Sequence, residues 1–199
     1  MIAIVDTGGA NIGSVVDAFS RLGVDSKLTA DPNLIQEAKG VVLPGVGAAA
    51  DSMARIQDQG LVEILQKLSQ PVLGICLGMQ LLFERSEEGD VTCLGLLPGK
   101  VRRLPAEKGA RIPHMGWNRV QCGDQDPLFA GIKNGAWFYF VHSYAAPKGD
   151  FTVAEVEHGN RFPAVVAKGS VYGVQFHPER SGTSGAALLK NFVGMTGCN

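Results

Sequence analysis

Residues 71–84 read PVLGICLGMQLLFE. Pro71 opens the apolar run Val72-Leu73-Gly74-Ile75, which ends at Cys76; the pattern from Leu77 to Glu84 predicts a helix. A nucleophile-type residue with Gly two positions to either side, after a buried strand and before a helix, fits a nucleophile elbow. Gly74 and Gly78 leave room for strand and helix to approach closely. The sharp turn exposes the side chain at the carboxyl edge of the sheet, and amides at a helix start favour a thiolate. A buried structural cysteine is the bland alternative, and the strand–turn–helix setting favours the nucleophile. Cys93, Cys122 and Cys198 fall in expected loops or the tail and read as bystanders.

Outward from this strand, the first half of the chain alternates strand and helix. Met1 to Asp6 reads as a strand; Ile12, Val15, Val16 and Phe19 recur at helical spacing up to Gly23. Val24 to Leu28 is a weaker strand, and Val41-Val42-Leu43 is a buried one stopped by Pro44-Gly45. Residues 51–68 carry a helical pattern interrupted at Gly60. Continuous apolar strands alternating with helices predict a parallel sheet covered on both faces. The second half offers strand-like runs around Val101, Val120, 137–142, 152–156, 164–167 and 171–176, then an amphipathic helix over 183–194. Residues 86–135 look loop-rich. The expected fold class is α/β, flavodoxin-like, a largely parallel sheet with helices on both faces plus antiparallel additions. Length fits one domain spanning 1–199.

Composition narrows the function classes. Lys and Arg total 18 against 19 Asp and Glu, so there is no electrostatic footprint for nucleic acid or an anionic membrane. No apolar run approaches the roughly 20 residues of a membrane span. The start, MIAIVDTGGAN, lacks the basic region and cleavage site of a secretion signal, which points to the cytoplasm. The four cysteines have no CxxC spacing and the four histidines no HExxH pairing, which argues against a disulfide framework or a zinc site.

A thiol nucleophile needs a base. The run VYGVQF ends at His177, which leaves the strand at the edge where Cys76 is expected, and Glu179 follows two residues later to hold the other imidazole nitrogen. A lone HxE is more often a capping His with a surface Glu; the elbow changes that balance. Acyl transfer also needs oxyanion donors. The Leu77 amide is one by position, and the Pro44-Gly45-Val46-Gly47 turn can supply the second. Gly45-x-Gly47-x-x-Ala50 also matches the dinucleotide fingerprint, but it does not follow the first strand, and the next strand ends in Cys76 rather than in an acidic residue.

With PGVG at 44–47, GICLGMQ at 74–80 and FHPE at 176–179, the sequence resembles the class I (triad) glutamine amidotransferases across the whole chain. PHMGWN at 113–118, YFVHSY at 139–144 and QFHPERSG at 175–182 are similar to the branch that serves as the glutaminase subunit of imidazole glycerol phosphate synthase, in histidine biosynthesis. The resemblance implies a Cys76–His177–Glu179 triad and an oxyanion held by Leu77 and by Val46 or Gly47. It implies Gln80 and Glu88 at the substrate's α-amino end or at the helix carrying Cys76, and the Ser143-Tyr144 backbone at its carboxylate. It implies no cofactor and no metal, and a (β/α)8-barrel cyclase as heterodimer partner that receives the ammonia. The Ala48-Ala49-Ala50 run departs from the family, whose members often carry larger or polar residues there. Trp117 reads equally as an interface anchor or a core residue, and the resemblance favours the interface. His142 reads as a structural hydrogen-bonder.

Three other readings remain at this point. They are a different triad glutaminase, a thiol peptidase or γ-glutamyl hydrolase, and a non-enzymatic flavodoxin-like binding module.

Overall fold

The computed structural model describes residues 1–8, 12–106, 110–123 and 126–198. The apolar runs form β1 (Ile2–Val5), β2 (Ser26–Thr29), β3 (Gly40–Leu43), β4 (Val72–Ile75) and β13 (Val171–Val174). These five lie parallel in the order β2-β1-β3-β4-β13. Numbered among themselves they run 2-1-3-4-5, the flavodoxin-like order. The sheet then continues antiparallel through β12 (Asn160–Lys168), β11 (Thr152–His158), β8 (His114–Cys122) and β9 (Ala136–His142). A smaller sheet holds β5 (Phe83–Ser86), β6 (Val91–Thr92), β7 (Leu97–Arg103) and β10 (Tyr144–Ala145).

Successive side chains on a strand point to opposite faces, so each parallel strand feeds two cores. Ile2, Ile4, Val42, Leu73 and Ile75 pack with α1 (Ile12–Arg21) and α6 (Gly182–Thr196) through Val15, Phe19, Leu188 and Phe192. Ala3, Val5, Val41, Leu43 and Val72 pack on the other face. There they meet residues of α2 (Pro32–Glu37), α3 (Ala49–Asp58), α4 (Val62–Gln66) and α5 (Leu77–Leu81), and of the small sheet. Helices on both faces and antiparallel additions agree with the sequence reading.

The details differ at several places. The helix expected over 77–84 stops at Leu81, because Phe83 begins β5, which pairs with both β6 and β7. The 51–68 pattern is two helices, with Gly60 at φ +67° between them. The stretch expected to be loop-rich contains β7 and β8, which extend the runs expected around Val101 and Val120; few of their residues are buried, and exposed Met115 and Trp117 blur the alternation in β8. Cys122 therefore lies in a strand, while Cys93 and Cys198 are buried.

Gly78 is the tightest point of this packing. A Cβ there would run into the Leu43 carbonyl, and one on Gly74 would meet the Gly78 carbonyl oxygen at 2.6 Å. The elbow can sit against β3 only with glycine at both positions. Gly78→Ala is expected to lower unfolding free energy by about 3 kcal/mol or more, since backbone rather than a flexible side chain must give way. Urea denaturation followed by circular dichroism checks this.

Candidate active site

Parallel strands deliver their carboxyl ends to one edge, where α/β proteins build sites. β3 ends in the 44–47 turn, β4 in Cys76, and β13 in Gln175-Phe176-His177. Val174 pairs with Ile75, and the Cys76 amide donates to the Val174 carbonyl at 2.8 Å. Cys76 adopts φ 52° and ψ −108°, a conformation that costs an L-residue energy and that the surrounding packing enforces. The 44–47 turn abuts the elbow: a Cβ on Gly45 would meet the Gly78 amide nitrogen and the Leu77 side chain, each at 2.8 Å. Gly47 sits at φ +109° with open space on its side-chain side.

His177 Nδ1 lies 2.8 Å from Glu179 Oε1, with both side chains almost wholly buried. The bond fixes the ring's orientation and leaves Nε2 on the side away from Glu179. His177 Nε2 and Glu179 Oε2 are buried without a hydrogen bond of their own, an expensive arrangement that functional sites tolerate. Burial pushes the His177 pKa down, but the Cys76 sulfur and the Glu179 carboxylate together outweigh it and raise the pKa to about 10. The imidazole is thus cationic at neutral pH and able to give up a proton. Its backbone is equally fixed: the His177 amide donates to the Tyr139 carbonyl at 2.9 Å, and Ser181 Oγ donates to the His177 carbonyl at 2.6 Å.

A cleft of about 350 Å³ opens over this edge. Val46, Gly47, Cys76, Leu77, Gln80, Glu88, Ser143, Tyr144 and His177 line it, and Glu179 stands behind His177. The residues selected from sequence are therefore gathered at one place. Gln80 Nε2 donates to the Tyr144 carbonyl at 2.9 Å and to Gln175 Oε1 at 3.0 Å. Glu88 Oε2 accepts from the Ala49 amide at 2.9 Å, capping α3, whose own cap residue Ala48 offers no side-chain bond. Burial raises the Glu88 pKa, the Ala49 amide lowers it, and Asp51 raises it. Ala49, in the run that departs from the family, thus serves through its backbone amide.

Sequence reasoning missed Gln175. It is fully buried, bridges Gln80 and the elbow, and places Nε2 3.8 Å from Cys76 Sγ. A polar residue closing the otherwise buried run VYGVQF was the available signal, since a buried amide must find partners. Pro113, Val141 and His142 also line the cleft and were not singled out for it.

The elbow, the His177–Glu179 pair and the 44–47 turn thus meet at one cleft at the carboxyl edge of the parallel strands. The chain belongs to the glutamine amidotransferase class-I family, whose profile matches residues 3–195. It is 54% identical over 194 residues to the imidazole glycerol phosphate synthase subunit HisH of Xylella fastidiosa strain Temecula1, covering 98% of this chain and 97% of that one. It is 55% identical over 195 residues to the HisH subunit of Xanthomonas axonopodis pv. citri, covering 98% of both. Within the family, the chain falls in the HisH branch. A crystal structure of a glutamine amidotransferase shares the fold, with TM-score 0.76 and 19% identity, covering 98% of each chain.

Proposed function

We propose that this chain is the glutaminase subunit of an imidazole glycerol phosphate synthase, a single cytoplasmic domain spanning 1–199 that works with a (β/α)8-barrel cyclase. The observation that carries the chemistry is the buried 2.8 Å His177–Glu179 pair beside the strained Cys76 turn. Cys76 thiolate attacks the side-chain amide carbon of glutamine, and the carbonyl oxygen becomes an oxyanion. The Leu77 amide and an amide of the Val46-Gly47 turn stabilise it. His177 donates its proton to the departing nitrogen, and ammonia leaves as the glutamyl thioester forms. His177 then takes a proton from water, which attacks the thioester carbon and releases glutamate and the free thiol. Gln80 and Glu88 line the substrate's α-amino side, and the Ser143-Tyr144 backbone receives its carboxylate. The ammonia passes to the cyclase, whose products are imidazole glycerol phosphate and aminoimidazole carboxamide ribotide.

The antiparallel end of the sheet supports a docking face for that partner. Met115, Trp117 and Trp137 are 63%, 52% and 53% exposed, and cross-strand pairing puts Met115 opposite Val141, Trp117 opposite Tyr139 and Arg119 opposite Trp137. This apolar face adjoins the cleft through Val141.

Glutamate release from glutamine, with and without cyclase and its nucleotide ligand, tests the proposal. The chain alone is expected to turn over slowly, and partner plus nucleotide to raise the rate by about 10²–10³, the worth of one oxyanion donor. The partner acts by binding an inward-facing Val46-Gly47 peptide more tightly than an outward one. Gly47→Ala should blunt the rise, because an L-residue resists φ +109°. Full activity from the isolated chain, extending to γ-glutamyl peptides, would favour a γ-glutamyl hydrolase instead.

A further inference from the structure

Pairing on β8 and β9 places His114 directly across from His142, on the face opposite the exposed Met115 and Trp117. Both are buried, and neither belongs to the triad. His142 Nδ1 lies 2.8 Å from the Tyr144 carbonyl, which can only accept, so Nδ1 carries the proton. Burial is the main cause that lowers the pKa of His142, to about 4, and of His114, to about 3, so both rings are neutral. His142 Nε2 is then an acceptor, and His114 Nδ1, at 3.0 Å, must donate to it. His114 Nε2 in turn accepts from Asn118 Nδ2 at 3.1 Å. Asn118 Nδ2 also donates to the Glu157 carbonyl, and Asn118 Oδ1 accepts from the Arg119 amide at 2.7 Å, which fixes the amide's orientation. Every link points one way, from Asn118 towards the cleft.

The row ends on a segment that lines the cleft. The Tyr144 carbonyl takes both His142 and Gln80, and the Ser143 carbonyl accepts from the Leu104 amide at 2.9 Å. In a trans peptide the N–H points opposite to the C=O. The bond to the Ser143 carbonyl therefore sets the direction of the Tyr144 amide, and the bonds to the Tyr144 carbonyl keep that oxygen from turning towards an arriving anion, while the Ala145 amide is taken up in the pairing of β10 with β7.

We propose that His142, oriented by His114 and Asn118, is a positioning residue for the substrate's α-carboxylate, acting through its bond to the Tyr144 carbonyl. This rests on the reading of the 143–144 backbone as the carboxylate side of a glutamine site. His142 exchanges no proton with substrate. Protonating it would set its Nε2–H against His114 Nδ1–H, which is why a neutral pair suits the task.

Two measurements test it, both on the protein in complex with the cyclase and its nucleotide ligand. Imidazole nitrogen-15 shifts at neutral pH should show His114 and His142 neutral with the proton on Nδ1. A cationic ring or an Nε2–H tautomer at His142 overturns the proposal. In glutaminase kinetics, His142→Leu should raise the glutamine KM by about tenfold or more with kcat within about threefold, the pattern of lost ground-state and transition-state binding alike. His142→Asn, whose amide nitrogen sits near the Nδ1 position, should restore KM to within about threefold of wild type. If His142→Leu fails to fold, His114→Phe replaces it, with a smaller rise in KM and a mixed His142 tautomer expected. An unchanged KM, or equal losses in kcat for the Leu and Asn variants, refutes the positioning role. If the wild-type complex itself fails to hydrolyse glutamine, the glutaminase reading falls and this role falls with it.

Discussion

Cys76→Ala is expected to abolish glutamine hydrolysis, a loss of at least about 10⁴-fold, while synthesis from added ammonia by the complex persists. The size follows from the route. Without the thiol no thioester forms, and no other thiol can substitute: Cys93 and Cys198 are buried away from the cleft and Cys122 lies on β8. Burial also pushes the Cys93 pKa up to about 11, so it stays a thiol at neutral pH. The ammonia arm shows that the partner's own chemistry is intact, and circular dichroism of the variant shows that its fold is. Substantial glutamine turnover by Cys76→Ala would remove the nucleophile from its proposed role.

His177→Asn should cost about 10³–10⁴-fold in kcat, because no group remains to protonate the leaving nitrogen and later deprotonate water. Glu179→Gln should be milder, since the imidazole stays. Its signature lies in the pH profile. The Glu179 carboxylate is one of the influences raising the His177 pKa to about 10. Removing that charge makes the imidazolium a stronger acid. The alkaline limb of kcat against pH, where the proton donor is lost, should therefore move to lower pH in Glu179→Gln. A shift the other way, or a greater loss from Glu179→Gln than from His177→Asn, would reverse the two roles.

The parallel half of the fold was legible because its strands are buried on both faces and punctuated by Gly and Pro. Val72 to Ile75 and Val41 to Leu43 could hardly be anything else. β7 and β8 were legible only as short runs around Val101 and Val120, not at their full lengths: in LPGKVRR and HMGWNRVQC the inward residues are few, and exposed Met115 and Trp117 counterfeit a core face. The end of α5 at Leu81 was hidden as well, since LLFE suits either a helix or a strand and only pairing with β7 decides. At the site, Cys76 and His177 were readable because each follows a strand end. Gln175 and the His114–His142 row escaped because their roles depend on partners distant in sequence, which spacing does not reveal.

β13 sits in the middle of the nine-stranded sheet, between β4 and β12, yet it is the last strand the chain supplies. Without β13, β4 and β12 would each present an unpaired edge. Joining them requires β13 to pair with β4, roughly one hundred positions earlier, a slow long-range step. The same strand brings His177. A chain clipped before residue 171 therefore keeps Cys76 but lacks its proposed partner His177, and leaves open edges that invite aggregation. On the proposed mechanism, a chain that ends before β13 lacks His177 and could not release ammonia from glutamine.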